Sequence, residues 1–433
     1  MDVNRPITIN VPVLARVEGE GALDLDIRDG AIRELRLRIF EPPRYFEKFL
    51  EGRSHHEIPD IVARICGICP VAYQMSAAQA IEQAFGHAAG PWVREMRRLM
   101  YCGEWIQSHA LHVHLLAVPD FLGFGSAIEM ARDFPEEVKR GLHLQGLGNR
   151  LIRFLGGRSV HPVGIRPGGF HHAPSYAEAD ALLQALRAAL VDAENLVSWT
   201  ASLDFPDDHQ DFINVALHHP DEYGIYAGRV ITDTGLSLAA EDYETHFREA
   251  HVRHSTALYS YVDDQPYLTG PLARVNLNRE QLAQALPLLD ELPVQFPSRN
   301  MFHSIVARAV EIHYALLEAI RLLEGYSRPD QPFEEITPRA GTGFGVTEAP
   351  RGILWHRYDF AADGRVKAAR IVPPTAQNQA RIEDDLHQSI QAFGLNHSDE
   401  AIRLRAETVI RNYDPCISCA THFLHVNVRR DGA

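Results

Sequence analysis

The sequence has few cysteines, a deficit of basic residues and none of the segments that direct a protein to a membrane. Lysine and arginine number 42 against 57 aspartates and glutamates, a net charge of −15, which argues against a basic face that binds nucleic acid. No apolar run approaches the roughly 20 residues of a membrane span, and the chain does not start like a secretory signal. We therefore expect a cytoplasmic protein without direct membrane insertion and without a nucleic-acid partner.

Low-complexity tracts and linkers rich in serine and glycine are also absent. We expect one compact domain, 1–433, of class α+β and predominantly helical, with a helical core and small N-terminal and peripheral antiparallel β-sheets. Alternating polar and apolar residues predict strands within about 1–57, joined by a turn at "RDGA". Helices with β insertions are expected over about 58–413, including one long helical pattern over 176–201, a loop over 156–174 and helices near 376–393 and 398–411.

Four of the five cysteines form two C-x-x-C pairs, Cys66 and Cys69 in "RICGIC" and Cys416 and Cys419 in "DPCISCATH". A reducing cytosol favours metal binding or catalysis over disulfides. Cysteines three positions apart can direct both sulfurs at one ion, so the two pairs supply four thiolates. A structural zinc site is one interpretation, although zinc-binding pairs usually lie much closer together in sequence. A redox dithiol is another, but the βαβ unit expected around such a motif is not evident.

The residues around the two pairs indicate more than a structural ion. "RICGICP" leads into a predicted helix with Pro70 in its first turn, where the helix dipole stabilises thiolates. The second motif adds Asp414, Ser418 and His422. A carboxylate, a hydroxyl and an imidazole beside four thiolates exceed what a structural zinc site needs.

Taken together, the two motifs resemble the signatures of the catalytic large subunit of nickel–iron hydrogenases. Further matches are "RVEGEG", "RYFEKFLEGR" and "EAPRG", so the resemblance covers most of the chain. It implies a hydrogenase large-subunit-like fold and the reversible heterolytic cleavage of H2 into protons and electrons. It also implies that the electrons pass to a small iron–sulfur subunit and on to NADP.

The resemblance assigns each cysteine of the pairs a role in a nickel–iron centre. Cys66 and Cys416 would bind nickel only, whereas Cys69 and Cys419 would also bridge to an iron that carries CO and CN ligands. Soft thiolates suit nickel in a redox role. No iron–sulfur cluster or flavin is expected within this chain.

Other site residues also follow from the resemblance. Arg351 of "EAPRG" matches an arginine above the metals, Asp414 would orient it, and Glu18 of "RVEGEG" matches the glutamate that takes up the proton. Glu47 and His422 match the ligands of a buried Mg2+. Without the resemblance, Arg351 and Glu18 would be read as ordinary surface charges.

Three further residues depart from the family pattern or have no clear place in it. Tyr73 stands where many members have histidine, and tyrosine can hydrogen-bond but is not a base near neutral pH. Its surroundings, "PVAYQMS", resemble the cytoplasmic, NADP-linked bidirectional and sulfhydrogenase branch. Asp120, which follows "HALHVH", is a candidate for a functional aspartate of the family. Cys102 matches no ligand and is read as a buried small hydrophobe.

The expected partners are the small iron–sulfur subunit, flavin- and NAD(P)-binding diaphorase subunits, and a maturation protease. The protease would cut after His422 and remove 423–433; alternatively this segment stays as a terminal strand. An alternative function is a hydrogen-sensing regulator that binds H2 with little turnover. A quinone-reducing respiratory subunit of the same ancestry is disfavoured, because those relatives have lost the four cysteines.

Overall fold

The computed structural model describes residues 6–421. His422, the expected magnesium ligand, and the expected removable segment 423–433 therefore lie outside the described residues. Within 6–421, no helix combines the length and apolar character needed to cross a membrane.

The strands of the described chain form several small sheets instead of one large sheet. In chain order they are β1 (Ile7–Val11), β2 (Gly21–Arg28), β3 (Ala31–Ile39), β4 (Ile165–Arg166), β5 (Gly169–Phe170), β6 (Ile213–His218), β7 (Arg229–Thr232), β8 (Ser237–Leu238), β9 (Phe247–His251), β10 (Leu258–Val262), β11 (Tyr267–Thr269), β12 (Gly341–Ala349), β13 (Gly352–Phe360) and β14 (Val366–Val372). The sheets are β1-β2-β3, β4-β5, β11-β6-β7-β8, β9-β10 and β12-β13-β14, and only the β11–β6 pair is parallel.

The predicted N-terminal hairpin is confirmed. Arg28 pairs with Ala31, and Asp29 and Gly30 between them both have positive φ, 53° and 68°. A two-residue turn with positive φ at both positions matches the twist of antiparallel strands, and Asp-Gly is a preferred sequence for it.

Helices make up the core, as predicted. They are α1 (Phe46–Leu50), α2 (Ile58–Val62), α3 (Pro70–Phe85), α4 (Pro91–Leu111), α5 (Val118–Phe121), α6 (Ala127–Met130), α7 (Pro135–Gly156), α8 (Tyr176–Ala188), α9 (Leu190–Ala201), α10 (Tyr243–His246), α11 (Pro271–Leu277), α12 (Arg279–Ala285), α13 (Ser304–Glu324), α14 (Pro374–Phe393) and α15 (Asp399–Asn412). A π-helical turn, His112–Ala117, joins α4 to α5, and a 3-10 turn, Ile417–Thr421, follows α15. The two helices predicted near 376–393 and 398–411 are confirmed as α14 and α15.

Two local predictions needed adjustment. The helical pattern over 176–201 is interrupted at Ala189, which separates α8 from α9. The loop predicted over 156–174 contains the short strands β4 and β5. The break at Ala189 is one residue long, and β4 and β5 have two residues each. Hydrophobic periodicity does not resolve features this short.

Helices α4 and α7 approach each other closely through two glycines. A Cβ atom at Gly148 would lie 2.6 Å from the carbonyl oxygen of Gly103 and 2.5 Å from the amide nitrogen of Gln107. No larger side chain fits such a contact between backbones. The close packing fixes the position of α4, which lies behind the first cysteine pair.

Candidate metal centre

The four cysteines of the two pairs converge at one buried point. Their Sγ atoms all lie within 4.8 Å of one another, and none of the four residues is more than 3% exposed. Cys66 Sγ lies 3.5 Å from Cys416 Sγ, and Cys69 Sγ lies 3.9 Å from Cys419 Sγ. The long sequence separation between the pairs is thus closed by the fold.

This cluster fits a soft metal centre. The Sγ atoms of Cys416 and Cys419 are in contact, and metal binding requires both as thiolates. The hydrogen bond between Cys66 and Cys69, together with burial, raises the pKa of the Cys69 thiol well above its usual value. Burial also acts to raise the pKa of Cys66, but the same hydrogen bond and the charge of Arg351 outweigh it, so the pKa of Cys66 is lowered. A bound cation would replace the proton that the pair shares. Four sulfur donors fit nickel and iron, and they fit zinc as well.

Local structure explains why the first pair can act as a chelating turn. A 3-10 turn, Ala63–Ile65, ends at Cys66, and α3 begins directly after Cys69. The Cys66 sulfur accepts backbone N–H groups from Ile68, at 3.3 Å, and from Cys69, at 3.2 Å. These bonds close the turn and hold both sulfurs on the same side.

Arg351 is held against the second cysteine motif by Asp414. It lies in the turn between β12 and β13 and is 3% exposed. Its Nε donates to the Asp414 carbonyl oxygen at 2.6 Å, and its Nη2 donates to Asp414 Oδ1 at 2.9 Å. Burial opposes ionisation of Asp414, but the charges of Arg351, His112 and Arg308 together outweigh it and lower the pKa of Asp414. The guanidinium is thereby placed close to Cys66 and Cys69. Burial lowers the pKa of Arg351, but the charge of Asp414, followed by those of the two cysteines, raises it overall.

Glu18 lies against the turn that joins Cys416 to Cys419. Its carbonyl oxygen accepts the N–H of Ile417 at 3.0 Å, and its Oε2 accepts the N–H of Ser418 at 3.1 Å. The following residue, Gly19, has φ 90°, and a Cβ there would lie 2.7 Å from the Cβ of Ile417. The "RVEGEG" motif therefore needs glycine so that its backbone can lie beside the C-terminal motif.

A buried network of ion pairs and hydrogen bonds holds the "EAPRG" motif in place. Arg274 donates to the carbonyl oxygens of Ala349, at 2.9 Å, and Pro350, at 3.0 Å. It also pairs with Glu311 at 2.7 Å and with Glu348 at 2.8 Å, and all three side chains are fully buried. Although burial raises the pKa of a carboxyl, Arg274 holds the pKa of Glu311 near 2; burial dominates at Glu348, whose pKa rises to about 7. Arg274 thus holds the backbone that carries Arg351.

Glu47, the other expected magnesium ligand, lies on α1. Its Oε1 accepts the N–H of Ile371 at 2.8 Å. Burial raises the pKa of Glu47 to about 7, although this hydrogen bond and Arg370 oppose the increase. A bound cation would favour the ionised carboxylate.

Asp120 and Tyr73 occupy defined positions around the centre. Asp120 pairs with Arg16 and with Arg411, whose Nε lies 2.7 Å from Asp120 Oδ2. It thereby connects the segment before Glu18 to the segment before Asp414. Tyr73 is fully buried, and its hydroxyl has no hydrogen-bond partner among residues 6–421. Burial and the nearby Cys69 raise the pKa of Tyr73 well above its usual value.

Sequence reasoning missed three residues that hold the cysteine turns. Arg44 donates to the carbonyl oxygen of Ile65 at 2.7 Å and also to that of Ser418, so one guanidinium joins both turns. Thr375 Oγ1 accepts the N–H of Cys416 at 3.0 Å. Glu104 accepts two N–H groups from the start of α3. Arg44 lies inside the matched "RYFEKFLEGR" segment, so the resemblance could have identified it. No sequence motif marks Thr375 or Glu104.

A small cavity lies beside Arg351. Its volume is about 20 Å³, and its lining combines apolar side chains, including Leu272 and Met301, with Arg308 and Arg351. A space of this size holds roughly one water-sized molecule.

Comparison with known proteins identifies a family for this arrangement. The family model described as nickel-dependent hydrogenase matches residues 44–140 and 263–422. Sulfhydrogenase 1 subunit alpha of Pyrococcus furiosus is 34% identical over 97% of this chain and 99% of that protein. NAD-reducing hydrogenase HoxS subunit beta of Cupriavidus necator is 29% identical over 95% of this chain and 94% of that protein. A crystal structure of an NAD+-reducing nickel–iron hydrogenase in the H2-reduced state matches with a TM-score of 0.85 and 28% identity, over 96% of this chain and 99% of that chain.

Proposed function

The chain belongs to the nickel-dependent hydrogenase family as the catalytic large subunit of a nickel–iron hydrogenase, and we propose that it passes electrons from H2 through a separate iron–sulfur subunit to NADP. The observation that carries the proposal is the convergence of four buried sulfurs from both ends of the chain, with their Sγ atoms within 4.8 Å. The pair Arg351–Asp414 and the carboxylate of Glu18 surround these sulfurs.

The proposed roles of the metal ligands follow the resemblance of the two cysteine motifs to the family signatures. Cys66 and Cys416 would hold nickel, and Cys69 and Cys419 would be shared between nickel and an iron that carries CO and CN. The four soft, buried thiolates support a nickel–iron centre at this place. Mg2+ is proposed to bind through Glu47 and His422, which is supported by the partly buried carboxyl group of Glu47 and its raised pKa.

Arg351, Asp414 and Glu18 each have a separate proposed role in the reaction. When bound, the nickel–iron centre supplies the site at which H2 is split heterolytically and its two electrons are taken up. Arg351 places a fixed positive charge beside the reacting molecule, where preorganised charge stabilises charge separation. Asp414 orients that guanidinium through its carboxylate and its carbonyl. The carboxylate of Glu18 accepts the departing proton, because it is a base in contact with the turn between the two C-terminal cysteines.

The electrons require a partner chain. With four cysteines in the centre, only Cys102 remains of the five, and one cysteine does not hold an iron–sulfur cluster. We infer a small iron–sulfur subunit and diaphorase subunits with flavin and NAD(P) sites. Similarity to the alpha subunit of a sulfhydrogenase and to a subunit of an NAD-reducing hydrogenase supports the nicotinamide linkage. A cytoplasmic location follows from that linkage.

The test is to produce the chain together with its partner subunits and to measure metals and turnover. We expect nickel and iron in the purified complex, H2-dependent reduction of methyl viologen, and H2-dependent reduction of NADP+. Cys419→Ser should lose metal and activity, whereas Cys102→Ser should retain both, because Cys102 lies outside the sulfur cluster.

Each alternative has its own result. Zinc without nickel or iron would overturn the proposed centre. Nickel and iron with H2 binding but almost no dye reduction would indicate a hydrogen sensor. Dye reduction without NADP+ reduction in the intact complex would overturn the NADP linkage alone.

Maturation is proposed to include a cut after His422 that removes 423–433. The support is the resemblance of "DPCISCATH" to the family signature. Intact-mass measurement of active enzyme tests it: the mass of a chain ending at His422 is expected, and a full-length mass with full activity would exclude the cut.

A further inference from the structure

Helix α3 begins in an unusual way. Cys69 occupies the position before its first residue, and Pro70, the first residue, has no N–H. In most helices the side chain at the capping position accepts an N–H from the second or third residue, here Val71 or Ala72. The Cys69 side chain makes no such bond.

Glu104 accepts both of these N–H groups instead. Its Oε2 lies 2.6 Å from the amide nitrogen of Val71, and its Oε1 lies 3.0 Å from that of Ala72. The side chain is fully buried and comes from α4. The preceding residue, Gly103, makes the close contact with α7, so the backbone that presents the carboxylate is fixed. One buried carboxyl therefore caps α3 from outside.

The two sulfurs of the first pair consequently have different surroundings. Cys66 Sγ accepts two backbone N–H groups, from Ile68 and Cys69. Among residues 6–421, no backbone N–H donates to Cys69 Sγ, whose contacts are the sulfurs of Cys66 and Cys419. A sulfur that accepts hydrogen bonds has less electron density for metals, and a sulfur that bridges two metals needs two lone pairs.

We propose that Glu104 is a positioning residue of the metal centre, which caps α3 in place of Cys69 and so leaves the Cys69 sulfur free to bind both metals. The inference rests on the proposed bridging role of Cys69. It extends that role to a side chain that lies outside both cysteine motifs. Glu104 acts through the backbone of Val71 and Ala72 and takes no part in the reaction itself.

The sharpest variant is Glu104→Gln, because glutamine has the same shape but presents an NH2 group to one backbone N–H. The matched control is Glu82→Gln. Glu82 is also buried and also connects α3 to α4, through Arg97 at 2.8 Å, but it lies near the far end of α3. Both variants are made in the complex with partner subunits.

Three measurements separate positioning from general stability. In Glu104→Gln we expect faster hydrogen exchange at the start of α3 by about tenfold, as for a lost buried hydrogen bond. We expect nickel affinity to fall about 10- to 100-fold, the range seen for outer-shell partners. We also expect altered g values in the nickel electron paramagnetic resonance (EPR) spectrum. Glu82→Gln should leave the exchange at Val71 and Ala72 and the EPR spectrum unchanged.

Two results would overturn the inference. One is a Glu104→Gln complex with wild-type exchange, nickel affinity and EPR spectrum. The other needs no variant: rapid exchange of the Val71 and Ala72 amides in the wild-type protein would show that they are not capped, even if Glu104→Gln does not fold. Failure of the proposed function looks different, because the wild-type complex would then contain no nickel or iron.

Discussion

Arg351 holds Asp414 at two points, its Nε at the backbone carbonyl oxygen and its Nη2 at the carboxylate, 2.6 and 2.9 Å away. The two residues come from different parts of the chain, the β12–β13 turn and the C-terminal cysteine motif. Asp414 has φ 56°, a conformation that aspartate tolerates better than most residues. The bonds thus fix both the guanidinium and the backbone that leads into Cys416.

Asp414→Ala should damage both stability and turnover. Removal of the carboxylate leaves the Arg351 charge buried and unpaired, so the free energy of unfolding of the metal-free chain should fall by about 3–5 kcal/mol. H2 oxidation should fall at least about 100-fold, as when one preorganised group of an active site is lost. Urea titration and dye reduction measure the two effects. Asp211→Ala, which breaks the exposed pair with Arg299, should change stability by less than about 1 kcal/mol; equal losses in both variants would contradict the expectation.

Glu18→Gln should block turnover without loss of metal. Glutamine keeps an oxygen that can accept the Ser418 N–H, but it cannot take up a proton, so dye reduction should fall about 10²- to 10⁴-fold. Nickel content, measured in the same preparation, should equal that of the wild type. Glu20→Gln is the control within the same motif, because Glu20 is exposed. Comparable activity of Glu18→Gln and Glu20→Gln would remove Glu18 from the proton path.

Arg274→Met should be among the most destabilising substitutions in the chain. It leaves the carboxylates of Glu311 and Glu348 buried without their shared partner, and the free energy of unfolding should fall by about 3–5 kcal/mol. Arg187→Met removes an arginine whose pair with Glu324 is about half exposed, so a loss of no more than about 1 kcal/mol is expected. Thermal and urea unfolding of the two variants provide the comparison. A small loss in Arg274→Met would mean that the carboxyls are neutral.

Acid sensitivity should decrease when His114 is replaced by phenylalanine. Burial lowers the pKa of His114 to about 3, and Arg140 adds to the effect, although the bond to the Ala110 carbonyl opposes it. Because the folded-state pKa lies below the unfolded value, this neutral histidine contributes stability that is complete above about pH 6.5 and is lost as the pH falls toward 3. One such group contributes a slope of up to about 1.4 kcal/mol per pH unit.

Urea unfolding between pH 7 and pH 4 measures that slope. The phenyl ring can replace the imidazole in its stack on Trp199, where the ring centroids are 5.8 Å apart. Above pH 6.5, the free energy of unfolding should depend on pH in the same way in His114→Phe and in the wild type. Below pH 6.5, it should fall less steeply in His114→Phe. Parallel curves over the whole range would show that His114 does not carry the effect.

The sequence was most informative where chemistry depends on short motifs. Cys66, Cys69, Cys416 and Cys419 could be selected by spacing, and periodicity predicted helices such as α14. Glu104, Thr375 and Arg274 could not be found in this way, because they act through contacts between elements distant in the chain. A buried glutamate on α4 has no local sequence pattern that distinguishes it from an ordinary helical glutamate. The break at Ala189 was missed because both helices carry the same apolar period.

Because the sulfur cluster is built from two cysteine pairs far apart in the sequence, its two halves are made at different times during protein synthesis. Protein synthesis delivers Cys66 and Cys69 well before Cys416 and Cys419. Until the second pair has been synthesised, the chain has only two of the four sulfurs. Any product truncated before Cys416 therefore has half of the binding site. The four-sulfur site is finished only after both cysteine motifs have been made. A complete set of four sulfurs can therefore form only in a chain that extends through Cys419.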